Sequence, residues 1–251
     1  MPKDRPCVLS IAGFDPSGGA GVLADIKTFE QHKVLGMAAV TGITYQNEDE
    51  FEGVKWLNSD EIKKQTKLLL PKHKFQFVKI GMLENLDRLE EIVSDSRQQA
   101  AGIKIIWDPI IKTSSGFSIH EKFEKEKLIS ILKNIYLVTP NTDEIKILSG
   151  EQDEMVGAKK LSEHCNVFLK GGHSQKSKGK DYLLTTDGKT FSFRPKKISS
   201  TGKHGSGCVL SSAITANLAL GNNLHRSCLK AKDYVTKILM SNKTLLGFHK
   251  I

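Results

Sequence analysis

Proline is scarce, at 7 of 251 residues, and tryptophan scarcer still at 2. So few prolines leave long stretches free to form helix and strand, and 39% hydrophobic with 26% charged residues excludes a disordered or collagen-like chain. No apolar run reaches the roughly 18 residues that a membrane-spanning helix needs. The opening Met1-Pro2-Lys3-Asp4-Arg5-Pro6 lacks the apolar core of a secretory leader, so a cytoplasmic chain with no membrane partner is expected. Cysteine is also sparse: Cys7, Cys165, Cys208 and Cys228 stand without CxxC spacing, which argues against zinc or a disulfide framework and for reduced thiols.

Acidic residues are outnumbered, giving a net charge of +9. The bases are nevertheless spread along the chain and interleaved with acids, as in Asp60-Glu61-Ile62-Lys63-Lys64 and Glu121-Lys122-Phe123-Glu124-Lys125. That pattern suits solvated helix faces, with a lesser share for sites that take anionic substrates, and no nucleic-acid partner is expected.

What the chain does have is alternation. Short β-branched runs at 7–12, 37–43, 77–80, 103–107, 135–138 and 166–169 predict strands. Amphipathic stretches at 23–31, 60–70, 86–99, 125–132, 143–148 and 154–164 predict helices between them. An Asp187-Gly188 turn joins strands expected at 182–185 and 190–194, and helices at 206–220 and 225–243 close the chain. The expected class is α/β, a three-layer sandwich with a mainly parallel sheet covered by helices on both faces, in one domain over 1–251.

Polar and glycine clusters fall just after predicted strands. They are Gly13-Phe14-Asp15-Pro16-Ser17-Gly18-Gly19-Ala20-Gly21, Gly81-Met82, Asp108-Pro109, Thr139-Pro140-Asn141 and Lys170-Gly171-Gly172-His173. In open parallel sheets ligands bind beyond those strand ends, so one cleft can collect all five loops. A further cluster, Thr201-Gly202-Lys203-His204-Gly205-Ser206-Gly207-Cys208, opens onto the small apolar run Val209–Ile214. Glycines at 205 and 207 allow a sharp turn that aims N–H groups at one spot, and the following helix adds its positive end. An anion hole with a cysteine beside it suits phosphoryl transfer. The plainer alternative is a glycine turn before a core helix with a buried cysteine. Likewise, Asn141 and Glu144 read without context as a helix N-cap and a surface glutamate.

In this order, the loops resemble those of the ribokinase-like superfamily of small-molecule kinases. Within it they resemble the hydroxymethylpyrimidine and phosphomethylpyrimidine kinases of thiamin biosynthesis. The resemblance is carried by Ala12-Gly13-Phe14-Asp15-Pro16-Ser17-Gly18-Gly19-Ala20-Gly21, Ala24-Asp25, Gln46-Asn47, Lys79-Ile80-Gly81-Met82, Asp108-Pro109, Asn141 with Glu144, Lys170-Gly171-Gly172 and His204-Gly205-Ser206-Gly207-Cys208. It implies a ribokinase-like fold, ATP and Mg²⁺ as cofactors, and a homodimer. It also implies phosphorylation of a pyrimidine alcohol, 4-amino-5-hydroxymethyl-2-methylpyrimidine, and then of its monophosphate. Gly13, Asp25, Gln46 and Met82 would bind substrate; Lys170, Gly171, Gly172 and Lys203 the nucleotide; Asp108, Asn141 and Glu144 the metal. Cys208 would be the proton acceptor within the anion hole of Gly205, Ser206 and Gly207. Pyridoxal kinase, which uses the same loops, is the nearest alternative, and a catalytically weak ligand-binding relative is another.

Three departures stand out. Lys203 replaces the usual threonine, Ser114 the usual lysine with Lys112 two residues earlier, and the chain after the last helix is short.

Overall fold

The computed structural model describes residues 5–99, 102–112, 119, 123–172, 179–195 and 202–250. In chain order these form β1 (Cys7–Phe14), α1 (Gly21–Gln31), β2 (Leu35–Gln46), β3 (Phe51–Trp56), α2 (Ser59–Leu69) and β4 (Phe77–Ile80). There follow α3 (Leu86–Gln99), β5 (Lys104–Trp107), α4 (Lys125–Leu132), β6 (Leu137–Val138), α5 (Thr142–Ser149) and α6 (Glu154–Ser162). The chain continues through β7 (Asn166–Leu169), β8 (Asp181–Leu184), β9 (Thr190–Phe193), α7 (Ser206–Ala219) and α8 (Leu224–Leu239). The expected α/β architecture is present as a 9-stranded sheet in the order β3-β2-β1-β4-β5-β6-β7-β8-β9. From β2 to β7 neighbouring strands are parallel, while β3, β8 and β9 add antiparallel pairs at the edges.

Side chains on successive strand residues point to opposite faces, and here both faces are apolar. Leu9, Val78, Ile105, Val138 and Val167 pack under α2 to α6. Their neighbours Val8, Phe77, Ile106, Leu137 and Phe168 pack under α1, α7 and α8. α7 lies between the sheet, α1 and α8, and every residue from Cys208 to Leu218 in it is buried, which explains its run of alanines and serines.

Two differences from the sequence expectations concern one hairpin. β2 runs on to Gln46, and β3 pairs with that extension although no strand pattern marks Phe51–Trp56. None of its residues is buried and Gly53 interrupts it, so no apolar alternation was there to find.

Across the middle of the sandwich runs an ion pair. Lys79, in β4, and Asp25, in α1, are both fully buried, with Lys79 Nζ 2.8 and 3.1 Å from the two carboxylate oxygens. Ser10 of β1 and Ser212 of α7 each donate to the same carboxylate at 2.6 Å. Burial opposes the Lys79 charge, but the Asp25 carboxylate outweighs it and raises the ammonium's pKa. Four elements are thereby fixed to one another. Lys79→Met strands the Asp25 charge, with an expected loss of about 3–5 kcal/mol in urea unfolding; a loss below 1 kcal/mol would contradict this account.

Candidate active site

A cavity of about 650 Å³ opens beyond the C-terminal ends of the parallel strands. Its walls include Gly13, Gln46, Met82, Asp108, Asn141 and Lys170, which follow or end β1, β2, β4, β5, β6 and β7. The cleft anticipated from the loop positions is therefore one space.

Backbone contact builds its floor. Gly205 has φ +70°, and a Cβ there would lie 2.0 Å from the Gly19 carbonyl oxygen. Gly21 has φ +60°, and a Cβ there would lie 2.2 Å from the Gly13 carbonyl oxygen. Only glycine permits either approach. Asp15 fastens the first loop by accepting from Ser17 N at 2.9 Å, Ser17 Oγ at 2.9 Å and Ala20 N at 2.8 Å. The same carboxylate reaches across to the second loop, with His204 Nε2 at 2.9 Å. Burial alone would raise the Asp15 carboxyl; His204, Ser17 and Ala20 outweigh it and hold the pKa below the usual range.

Cys208 is in the first turn of α7 and its sulfur also accepts from the Gly21 N–H at the start of α1. Two helix N-termini thus converge on one thiol. Burial is the larger influence, and it pushes the thiol up to about 11 despite the nearby Lys79. Ser206 N donates to Lys203 O at 3.2 Å, so that amide is engaged within the loop.

On the opposite wall Lys170 Nζ lies 2.8 Å from Asp108, 3.7 Å from Glu144 and 3.4 Å from a Cβ position on Gly207. The ammonium is therefore set against the Gly205–Cys208 turn. Asp108 also accepts from Thr139 Oγ1 at 2.9 Å and Ser211 Oγ at 3.1 Å. Burial raises the Glu144 carboxyl to about 7, and the Asp108 charge adds to this against Lys170. Asn141 forms the N-cap of α5, its Oδ1 accepting from Asp143 N at 2.9 Å and Glu144 N at 2.8 Å. Glu144 returns the bond by accepting from Asn141 N at 2.7 Å. The cap reading of this pair holds, though the glutamate is buried rather than on the surface.

Gly13, Gln46, Met82, Asp108, Asn141, Glu144, Lys170, Gly172, Gly205, Ser206, Gly207 and Cys208 all line the cavity. Three expected residues do not. Asp25 is behind the wall, its oxygens taken by Lys79, Ser10 and Ser212. Gly171 is turned inward, donating to Asp181 at 2.9 Å, and a Cβ there would meet Lys180 O at 1.9 Å. Lys203 points to the C-terminal segment, donating to Asn242 O and Oδ1 at 2.8 Å. Lys112 is exposed at the cavity edge; Ser114, His173 and Thr201 lie outside the described residues.

Asp15, His204, Lys79 and the Asp181–Lys232 ion pair were not anticipated as site residues. For Lys79 a signal existed, since a lysine between Val78 and Ile80 in a buried strand needs an acid partner. Lys232 likewise shares a helical stripe with Cys228, Ala231 and Val235.

Among the described residues no group of three or more His, Cys, Asp or Glu side chains could hold a metal ion. Asp108 and Glu144 are nonetheless hard oxygen donors flanking one wall, which fits Mg²⁺ shared with phosphates and water and does not fit an all-protein cage.

With this geometry in place, a family model for phosphomethylpyrimidine kinase matches residues 15–250. The chain belongs to the phosphomethylpyrimidine kinase family. It is 35% identical over 246 residues to a hydroxymethylpyrimidine/phosphomethylpyrimidine kinase of Aquifex aeolicus, covering 94% of this chain and 95% of that one. A kinase of the same name from Staphylococcus aureus is 32% identical, covering 91% of this chain and 86% of its own. Among solved structures, the phosphomethylpyrimidine kinase of Clostridium difficile superposes with TM-score 0.78 at 31% identity, covering 93% and 99% of the two chains. The Staphylococcus aureus pyridoxal kinase, in complex with ADP, superposes with TM-score 0.85 at 25% identity over 97% and 91%. The family shares the ribokinase-like fold, and its members are kinases.

Gly205→Ala cannot be accommodated without separating the two loops. An expected fall of at least about 100-fold in kcat/KM for phosphoryl transfer, with native far-ultraviolet circular dichroism, tests the contact. A variant within tenfold of wild type would refute it.

Proposed function

We propose that this chain is an ATP-dependent kinase acting on 4-amino-5-hydroxymethyl-2-methylpyrimidine and then on its monophosphate. The observation that carries the reading is a thiol held between two helix N-termini, in one cavity with Gln46 and Met82 on one side and Lys170 on the other. The substrate assignment is supported by the names of the Aquifex and Staphylococcus relatives. Use of ATP is supported by the ADP complex of the structural neighbour.

Gln46 presents a carbonyl acceptor and an amide donor, which complement the ring nitrogens and amino group of an aminopyrimidine. A Cβ on Gly13 would lie 2.4 Å from Met82 Cε, so the glycine lets the methionine lie against the strand end, where the pair offers a flat ring an apolar surface. Asp25 acts from behind the wall by fixing α1 and α7. Lys170 and the Gly207 and Cys208 N–H groups stabilise charge on the transferring phosphoryl group. Asp108 and Glu144 would hold Mg²⁺, which would supply neutralisation of phosphate charge. Asn141 contributes indirectly, by capping the helix that carries Glu144.

In the transfer, the substrate hydroxyl oxygen forms a bond to the γ-phosphorus as the bond to the β,γ-bridging oxygen breaks. The hydroxyl proton passes to Cys208 Sγ and ADP leaves with the bridging oxygen. With the thiol at about 11, thiolate is the minor form at neutral pH. A base active only as thiolate makes kcat/KM rise about tenfold per pH unit from pH 7 to pH 10. Cys208→Asp, ionised throughout, is expected to flatten that profile, and Cys208→Ala to lose about 10²–10⁴-fold. Coupled assays with the pyrimidine alcohol, its monophosphate and pyridoxal test the substrate: turnover of pyridoxal alone would replace this reading with that of a pyridoxal kinase. Binding of the pyrimidine without turnover would make the chain a ligand-binding relative.

The 251 residues act as one domain, since the cavity draws on residues from Gly13 to Leu239. A homodimer is proposed through the β2–β3 extension, where Ile43 and Tyr45 are 40% and 53% exposed on the face opposite Thr44 and Gln46. Light scattering that reports a monomer, or a dimer undisturbed by Tyr45→Glu, would remove that interface. A reducing cytoplasm suits four free thiols, and no helix among the described residues is long and apolar enough to cross a membrane.

A further inference from the structure

Lys203, at the position where the resemblance implies threonine, stands in the turn that leads into the proposed anion hole, yet its ammonium does not face the cavity. The residue is 5% exposed. Its Nζ donates to Asn242 O at 2.8 Å, to Asn242 Oδ1 at 2.8 Å and to Thr244 O. Three donors thus meet three neutral oxygens, all on the short segment after α8. A threonine hydroxyl, with one proton and no reach, could not make this set of contacts.

The segment that receives Lys203 is itself tightly wound. Asn242 Oδ1 accepts from Thr244 N and Thr244 Oγ1, both at 3.1 Å, and Asn242 Nδ2 donates to Leu246 O at 2.8 Å. Ser241 Oγ accepts from Phe248 N at 2.9 Å. Gly247 packs on α8, where a Cβ would lie 2.5 Å from Ile238 Cγ2. From this strap two further contacts return to the site. His204 N donates to Leu245 O at 3.0 Å. Leu246 lies against Gly19, whose absent Cβ would be 2.7 Å from Leu246 Cδ2. Gly19 in turn touches Gly205.

We propose that Lys203 and the 241–248 strap clamp the two glycine loops together, making Lys203 a positioning residue for the nucleotide triphosphate rather than a ligand of it. The strap presses Gly19 onto Gly205 from outside, and Lys203 ties the strap to the chain two residues before Gly205. The long cationic side chain thus adds a tie between the 241–248 segment and the turn before Gly205. This rests on the reading that the 202–208 turn holds phosphate.

The test compares wild type, Lys203→Met, Lys203→Arg, Asn242→Ala and the Lys203→Met/Asn242→Ala double variant. Steady-state kinetics gives KM for ATP and kcat, calorimetry gives the pyrimidine Kd without nucleotide, and amide hydrogen exchange follows residues 202–208 in ligand-free protein. Lys203→Met and Asn242→Ala are each expected to raise KM for ATP and lower kcat by about tenfold, with the pyrimidine Kd within about twofold. The double variant should be no worse than the weaker single one, because both remove the same clamp. Lys203→Arg should restore most of the loss, and exchange at 202–208 should quicken about tenfold in Lys203→Met. Additive losses, unchanged ATP parameters or unchanged exchange would overturn the proposal. Should Lys203→Met fail to fold, Asn242→Ala carries the same expectations. If wild type itself neither binds nor consumes ATP, the functional reading falls, while hydrogen exchange still decides whether the clamp exists.

Discussion

The contact between the Gly19 carbonyl and the Gly205 backbone brings together chain segments from opposite ends of the molecule, and every functional distance is measured from it. With the loops touching, the first turns of α1 and α7 meet, and Cys208 is delivered to the Gly21 N–H. Asp15 and His204 bridge the same seam with side chains. A seam made of backbone holds its spacing more closely than one made of flexible side chains, which suits a site that works by holding charge in place.

Behind the seam the electrostatics are layered. Asp25 and Lys79 form a neutral pair deep in the sandwich, and Asp108, Glu144 and Lys170 form a second group at the cavity wall. Cys208 lies within the influence of both, with Lys79 favouring its thiolate and Asp108 and Asp25 opposing it. The charges near the thiol therefore act in opposite directions, and burial is the largest influence on its proton affinity. In the proposed reaction, incoming phosphate charge falls to Lys170 and the α7 dipole.

Most of the sheet was legible because its strands are buried on both faces, and runs such as Ile105-Ile106 or Phe77-Val78 admit few other readings. β3 was not, since none of its residues is buried and Gly53 breaks its pattern. For the site, the loops were readable as a set, and the glycines at 13, 205 and 207 fell where expected. What escaped was direction. Asp25 and Lys203 were placed in the correct loops and helices; Lys79 in its buried strand signals the need for an acid, but a linear string does not name Asp25 as that acid or Asn242 as the partner of Lys203. Such pairings are decided by tertiary neighbours 54 and 39 residues away.

The Asp25 carboxylate has a consequence for biogenesis. Ser10, Asp25 and Lys79 lie within the first third of the chain, but the fourth partner, Ser212, comes from α7. That helix also covers the sheet face formed by Val8 and Phe77. A ribosome that has just released β4 therefore holds an apolar half-sheet covered on that side by α1 alone, and it must synthesise most of the remaining protein before α7 and α8 complete the cover. Contacts so distant along the chain form slowly, and the nascent polypeptide spends that interval as a natural client for chaperones.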